Sequence, residues 1–296
     1  MKRMHFDTII LLVLGGFLFV SGMSEKSIFS VVGLGVMALG IVRFFLIRQA
    51  MLYQDDETDN SEDMIVTYLK RHPRRNAHMF YSYRYGNAKL LYGENDGVLL
   101  YDEKMDYYLA SALTTAAVKD ILALVPNGFT CFIANDDLFK DEVEAQLTYR
   151  KRIDSYNWVY ESKQHFDVSA NVELRHLDQR YIKQVEEQYT ISDLCPDGYI
   201  SQCIEMGMLG AFIDDKLVGF IGKHTYGPIG LLEVSRDYQG QHLGTLLLAS
   251  FINEQLDLNP DQLLFAQTNA LNDISIHLME KLGFRRADQA VYWYTK

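Results

Sequence analysis

The residues with the clearest capacity for chemistry cluster near position 240. The run Ser235-Arg236-Asp237-Tyr238-Gln239-Gly240-Gln241-His242-Leu243-Gly244 separates an apolar segment, Ile229 to Val234, from a segment of helical pattern. In that helical segment Leu243, Leu247 and Phe251 form one i,i+4 row, and Leu248, Ile252 and Leu256 form the next. A strand, a glycine-bearing loop and a helix start make an anion site. The first N–H groups of a helix have no internal acceptor, and the helix dipole favours negative charge there. Gly240 and Gly244 lack the Cβ atoms that would obstruct a pyrophosphate. Just before the loop, Glu233 places a carboxylate in an otherwise apolar strand. Such a group can accept a proton near neutrality if its pKa is raised. The alternative is a structural or substrate-orienting hydrogen bond. His224, in the preceding loop, has a side chain that titrates near working pH; an ordinary surface histidine is the other reading.

The elements that must position these groups are legible on both sides. Leu209–Ile213 and Leu217–Gly222 read as a hairpin around Asp214-Asp215-Lys216, followed by the strand Ile229–Val234. After the long helix, Leu263–Gln267 reads as a strand. Asn272 fits the N-cap of a short helix whose apolar row is Ile274, Leu278 and Leu282, and Gly283 fits its end. Ala290–Tyr294 reads as a closing strand.

The segment Val234–Gly244 resembles the acetyl-CoA signature of the GNAT (N-acetyltransferase) superfamily, an Arg or Gln followed by x-x-Gly-x-Gly or Ala. Gln239, Gly240, Gln241, His242, Leu243 and Gly244 occupy its positions, with His242 where the family usually has a glycine. A helical backbone is expected to accommodate that histidine. The segment Asn272–Phe284 resembles the family's Asn-x-x-Ala…Lys-x-Gly-Phe ending, with Ser275 in place of the alanine. The resemblance implies acetyl-CoA as acyl-donor substrate, with no metal. It assigns the holding of the donor to the N–H groups of Gln239, Gly240, Gln241, His242, Leu243, Gly244 and Thr245. It implies that Asn272 contacts the pantetheine arm and that the Val234 N–H forms part of an oxyanion site. Many members use a tyrosine in the last helix as the acid that protonates the leaving thiolate. Met279 occupies that position, so Tyr292 or Tyr294 in the last strand would have to substitute, unless each simply fills a strand position.

Upstream, Lys89–Gly93 and Gly97–Tyr101 read as strands around Glu94-Asn95-Asp96-Gly97. Tyr107–Ala110, Phe129–Ala134 and Asn157–Tyr160 read as further strands, and 116–124 and 137–149 as helices. No catalytic signature lies among them. With Asp96–Leu100, His224–Val234, Phe265–Gln267 and Val291–Trp293, the chain resembles a bacterial GNAT subgroup that carries a degenerate GNAT-like half before the active one. The expected class is α/β (α+β): tandem GNAT-like mixed-sheet domains, 64–165 degenerate and 166–296 active.

Residues 1–50 hold two apolar runs, Ile9–Met23 and Ile28–Ile47, separated by Ser24-Glu25-Lys26-Ser27. A spanning helix needs about 20 apolar residues, and neither run offers a polar face to water. The expectation is a two-helix transmembrane hairpin within residues 8–47. Lys2 and Arg3 before the first run, and Arg43 and Arg48 at the end of the second, put both termini and the catalytic domain on the cytoplasmic face of the cell membrane. A cleaved signal peptide lacks a good cleavage site here. Residues 51–63 are an acidic linker. The basic run Lys70-Arg71-His72-Pro73-Arg74-Arg75 is either an anionic-lipid contact or, as its shortness favours, a solvated turn around Pro73.

The net charge of −11 and pI of about 5.2 argue against nucleic-acid partners, since each phosphate contact needs a Lys or Arg. Cys131, Cys195 and Cys203 have no metal-ligand spacing and fit a reducing compartment. The expected function is a membrane-anchored acyl-CoA-dependent N-acetyltransferase acting on a primary amine of a small molecule or protein. The alternatives are a non-catalytic acyl-CoA sensor or scaffold, and an aminoacyl- or other acyl-transferase at the membrane.

Overall fold

Apolar alternation and turn residues between 88 and 112 build three antiparallel strands, and the same arrangement returns between 209 and 234. In the computed structural model the described residues are 64–86, 88–168, 172–190 and 197–296, all within the unit Glu62–Lys296. The expected hairpin, the acidic linker and Cys195 lie outside them. Among the described residues no helix is long and apolar enough to cross a membrane.

The first segment contains α1 (Met64–Lys70), α2 (Ala77–Arg84), β1 (Ala88–Glu94), β2 (Gly97–Asp102), β3 (Tyr107–Ala112), α3 (Thr115–Leu124), β4 (Cys131–Ala134), α4 (Phe139–Gln146) and β5 (Lys151–Val159). The second contains β6 (Glu173–His176), α5 (Ile182–Gln188), α6 (Tyr199–Glu205), β7 (Leu209–Ile213), β8 (Lys216–Lys223) and β9 (Ile229–Val234). It continues with α7 (Leu243–Leu258), β10 (Phe265–Asn269), α8 (Asp273–Lys281), β11 (Arg285–Arg286) and β12 (Val291–Thr295).

All strands join one sheet in the order β1-β2-β3-β4-β12-β5-β10-β9-β8-β7-β6, with β11 pairing β5. The two segments follow one plan. Strands β1–β2–β3 are antiparallel, α3 crosses over, and β3 and β4 are parallel. Strands β7–β8–β9 are antiparallel, α7 crosses over, and β9 and β10 are parallel. The closing strands are exchanged: β5, from the first segment, pairs with β10, while β12, from the second, lies between β4 and β5. The sheet is therefore continuous across the expected 165/166 boundary.

Strand alternation sorts the core into two layers. Leu99, Tyr292, Trp158 and Val218 pack under α3, α4, α7 and α8; Val98, Val291, Leu217 and Phe220 face α1, α2, α5 and α6. The i,i+4 rows predicted in α7 are buried throughout. The row predicted in α8 is not: Ile274 is 85% exposed, and the inward residues are Met279 and Leu282. The β7–β8 turn carries positive φ at both Asp214 and Asp215, as a tight two-residue hairpin requires.

Candidate active site

The site begins where a parallel strand pair comes apart. Strands β9 and β10 share a single paired position, Ile229↔Ala266, and separate beyond it. An extra residue bulges from β9 opposite β8, where the register passes from Phe220↔Glu233 to Gly222↔Gly230, and Leu231 adopts φ +50° there. A branched side chain is strained in that conformation. Sequence alone gave no sign of it, because Leu is an ordinary strand residue. The Ser235 N–H donates to the Val218 carbonyl of β8. By alternation the Val234 N–H points to the other side, into the opening.

The loop after β9 presents unspent donors. Among the described residues, the N–H groups of Gly240 through Thr245 donate to no protein acceptor. Gln239 is a correction to the expected set. Its N–H is taken by the Arg236 carbonyl and its side-chain amide donates to the Val234 carbonyl at 3.0 Å, so it braces the loop. Gly240 has φ +77°. His242 is also left-handed, with φ +61° and ψ 12°, at the N-cap of α7. The expectation of helical backbone there is corrected: this is the conformation glycine adopts freely, and a β-carbon makes it costly. Gly244 has space where a side chain would begin, the nearest atom being Leu278 Cδ2 at 4.0 Å.

Across the opening, Asn272 caps α8 by accepting the Ser275 N–H at 3.0 Å. Two apolar side chains flank it, Leu271, which sequence reasoning overlooked, at 91% exposure and Ile274, expected in the core, at 85%. Together they give the opening an exposed apolar edge beside the cap, a surface that suits a ligand's apolar arm. Lys281 was also overlooked; its ammonium donates to Thr245 Oγ1 at 3.4 Å and brings a positive charge to the helix start.

On the α5/α6 side of the sheet lie the proton-transfer candidates. Glu233 Oε1 accepts the Thr190 hydroxyl at 2.6 Å and the Thr190 N–H at 3.2 Å. The carboxylate is thus not in the apolar surroundings expected from its strand. His224 Nδ1 lies 2.6 Å from the Tyr199 hydroxyl, and its ring stacks on Tyr226. Its far edge covers Gly230, where a β-carbon would collide with the imidazole. Burial pushes the imidazole down to about 4, so it is neutral at physiological pH. Tyr199 is the partner that sequence reasoning missed, since α6 carries no motif.

The structure does not bring Tyr292 to this site. Its strand is inserted between β4 and β5, its hydroxyl donates to Asp137, and its ring packs in the cluster beneath α3 and α4. Burial first, then the Asp137 carboxylate, raise its pKa above the ordinary value. Tyr294 is buried in the same cluster. Met279, at the expected acid position, is the buried core residue of α8.

The corresponding place in the first segment is closed. Strands β3 and β4 stay paired from Tyr107↔Cys131 to Ala110↔Ala134. The start of α3 has no glycine, and Thr114 Oγ1 accepts the Ala117 N–H. Asp136 accepts the Ala112 N–H just past the strand ends. Among the described residues no group of acidic, His or Cys side chains could hold a metal ion.

Residues 171–284 match the Acetyltransferase (GNAT) family. No curated relative matches the sequence. An X-ray structure of a Drosophila protein is 16% identical with a TM-score of 0.56, covering 68% of this chain and 74% of that one. A GNAT-family acetyltransferase from Colwellia psychrerythraea is 12% identical, TM-score 0.47, covering 80% and 98%. A GCN5-related N-acetyltransferase-like protein from Streptococcus suis is 14% identical, TM-score 0.47, covering 85% and 98%. With the parted strands, the donor loop and the family match all falling in the same stretch, residues 171–284 are an enzyme domain of the acetyltransferase (GNAT) family.

Proposed function

We propose that the protein transfers an acetyl group from acetyl-CoA to a primary amine at the inner face of a membrane, to which residues 8–47 anchor it. The observation that carries the transfer reading is the opening between β9 and β10, which leads to six unspent N–H groups at the start of α7. Gly240 to Thr245 and Lys281 would hold the pyrophosphate. Leu271 and Ile274 would cover the pantetheine arm beside Asn272. The Val234 N–H would polarise the thioester carbonyl. The amine nitrogen attacks the carbonyl carbon, the C–S bond breaks, and the thiolate leaves with its electron pair. A thiol pKa of about 8.5 makes that departure tolerable without a dedicated acid. Glu233, released from Thr190, would accept the ammonium proton, while His224, which burial holds neutral, would stand as the hydrogen-bond partner of Tyr199. The closed β3–β4 pair supports the first segment as a structural counterpart of the second, without a donor site of its own.

The experiment is thiol release from acetyl-CoA by the full chain across a panel of small-molecule and peptide amines. Amine-dependent release, lost in Glu233→Gln or Tyr199→Phe/His224→Ala, supports the reading. Tight acetyl-CoA binding without release on any amine refutes transfer and leaves the sensor reading, which Met279 in the acid position favours.

A further inference from the structure

The basic run before α2 has a role that the acyl-transfer site does not use. Arg71, His72, Arg74 and Arg75 line a cleft of about 250 Å³ together with Arg286 of β11, Glu161 and Asp288. Four permanent cations thus face two carboxylates. The carboxylates orient rather than silence the cleft: Glu161 grips Arg74 through two bonds of 2.6 and 2.9 Å, and Asp288 grips Arg75 at 2.6 and 3.3 Å. The other two guanidiniums have no carboxylate partner among the described residues. Arg71 donates to the Asn95 carbonyl at 2.7 Å and lies over the Tyr68 ring. Arg286 lies over the rings of Tyr156 and Trp158.

A solvated turn would need no internal support, and this one has a great deal. The Asn135 and Asn157 amides, both fully buried, donate to the Arg75 carbonyl at 3.1 and 2.7 Å. Asn135 also donates to Asn76 Oδ1, and Asn76 to the Leu69 carbonyl. The Arg75 side chain is only 8% exposed. Burying amides and a guanidinium is costly unless they are paired. Here the pairing serves to hold one short loop rigid, with its arginines aimed into one cleft.

We propose that this cleft binds a phosphate group, carried either by a soluble phosphoester or by a lipid headgroup. Pre-aimed guanidinium forks match phosphate oxygens and lose little rotamer freedom on binding. The cleft is separate from the acyl-CoA loop. Arg286 is level with Trp158, Ala266 and Ile229, at the start of β9, whereas the loop follows its other end, about 16 Å away at 3.3 Å per residue.

The test uses the full chain in a non-ionic detergent. Inorganic phosphate is titrated calorimetrically at low and moderate salt, beside mixed micelles of phosphatidylglycerol or phosphatidylcholine. The exposed pair Arg71→Gln/Arg286→Gln is compared with the parent chain and with Gly244→Trp. Phosphate binding that weakens at least tenfold in the double variant, but not in Gly244→Trp, supports the site. Phosphatidylglycerol micelles binding at least tenfold tighter than free phosphate, with phosphatidylcholine inert, identify a lipid source; equal affinities identify a soluble one. Absence of any phosphate binding, or binding undiminished in the double variant, overturns the proposal. A matching loss of acetyl-CoA affinity in the double variant also overturns it, because the cleft would then belong to the donor site.

Discussion

Gly244→Trp separates ligand exclusion from misfolding. A β-carbon at residue 244 meets nothing closer than Leu278 Cδ2 at 4.0 Å, and Gly244 is not among the positive-φ glycines. The substitution therefore imposes neither clash nor backbone strain, and replacing glycine in the first turn of a helix adds propensity. The expected stability change is within about 0.5 kcal/mol. The indole, however, would fill the space in front of the free N–H groups of 240–245. Hydrogen bonds to a charged group contribute about 1.5–3 kcal/mol each. Losing two would weaken acetyl-CoA by about 3 kcal/mol or more, at least ~100-fold. Gly240→Ala is the matched control: it has open space but φ +77°. Its cost is backbone strain of about 1–2 kcal/mol, which falls on folding stability, while the open N–H groups leave acetyl-CoA affinity close to the parent's. Calorimetry with acetyl-CoA and thermal unfolding of the same samples are the assays. A Gly244→Trp chain that unfolds like the parent and binds acetyl-CoA within threefold of it would refute the loop assignment.

Glu233→Gln should lower the rate at least tenfold with acetyl-CoA affinity unchanged and flatten the acid limb of the pH–rate profile. An unaltered profile removes Glu233 as proton acceptor and leaves it as the anchor of Thr190. Gly227 has φ +112°, and a β-carbon there would enter the Tyr81 ring, which packs on Phe265. Gly227→Ala should cost about 2 kcal/mol or more, read as a fall of about 4–8 °C in Tm. Burial lowers His78 to about 3 and His224 to about 4. Below about pH 6.5 the unfolded chain therefore takes up two protons that the native chain refuses, and stability falls as the pH is lowered. Burial raises Asp136 to about 6, so the native chain keeps a proton there that the unfolded chain loses above its ordinary value of 3.8. That term has the opposite sign. Between pH 6 and 5 these three groups together take up about one proton on unfolding, and His78→Gln should reduce the slope in urea titrations across that range by about that one proton.

The legible part of the site was the part fixed by local chain geometry. The strand at 229–234, the start of α7, the N-cap at Asn272 and Gly283 beyond α8 depend on neighbouring residues, and each was found where its local signal lies. What escaped depended on tertiary placement. Tyr292 reads as a strand residue, which it is, but nothing local says that its strand joins the first segment. Ile274 fits an apolar row by spacing, yet the core accepts Met279 and leaves Ile274 outside. Helix α2, Ala77-His-Met-Phe-Tyr-Ser-Tyr-Arg84, is rich in aromatics of modest helix propensity and forms because it can pack against the sheet. Tyr199 meets His224 only through folding, 25 residues away in sequence.

The exchange of closing strands also sets the order of assembly on the ribosome. Strand β4 has no partner on one side until β12, the last strand of the chain, leaves the exit tunnel. The first segment must wait, with an unfilled sheet position, while about 160 further residues are made, and pairing so distant in sequence slows closure. Release of residues 1–165 as a separate product would leave β4 open and β5 without β10, while a chain ending before Val291 would lose the strand that joins the two halves. Neither half is an exchangeable module. A stop just before Val291 would disable a fold whose first strands were made some 200 residues earlier.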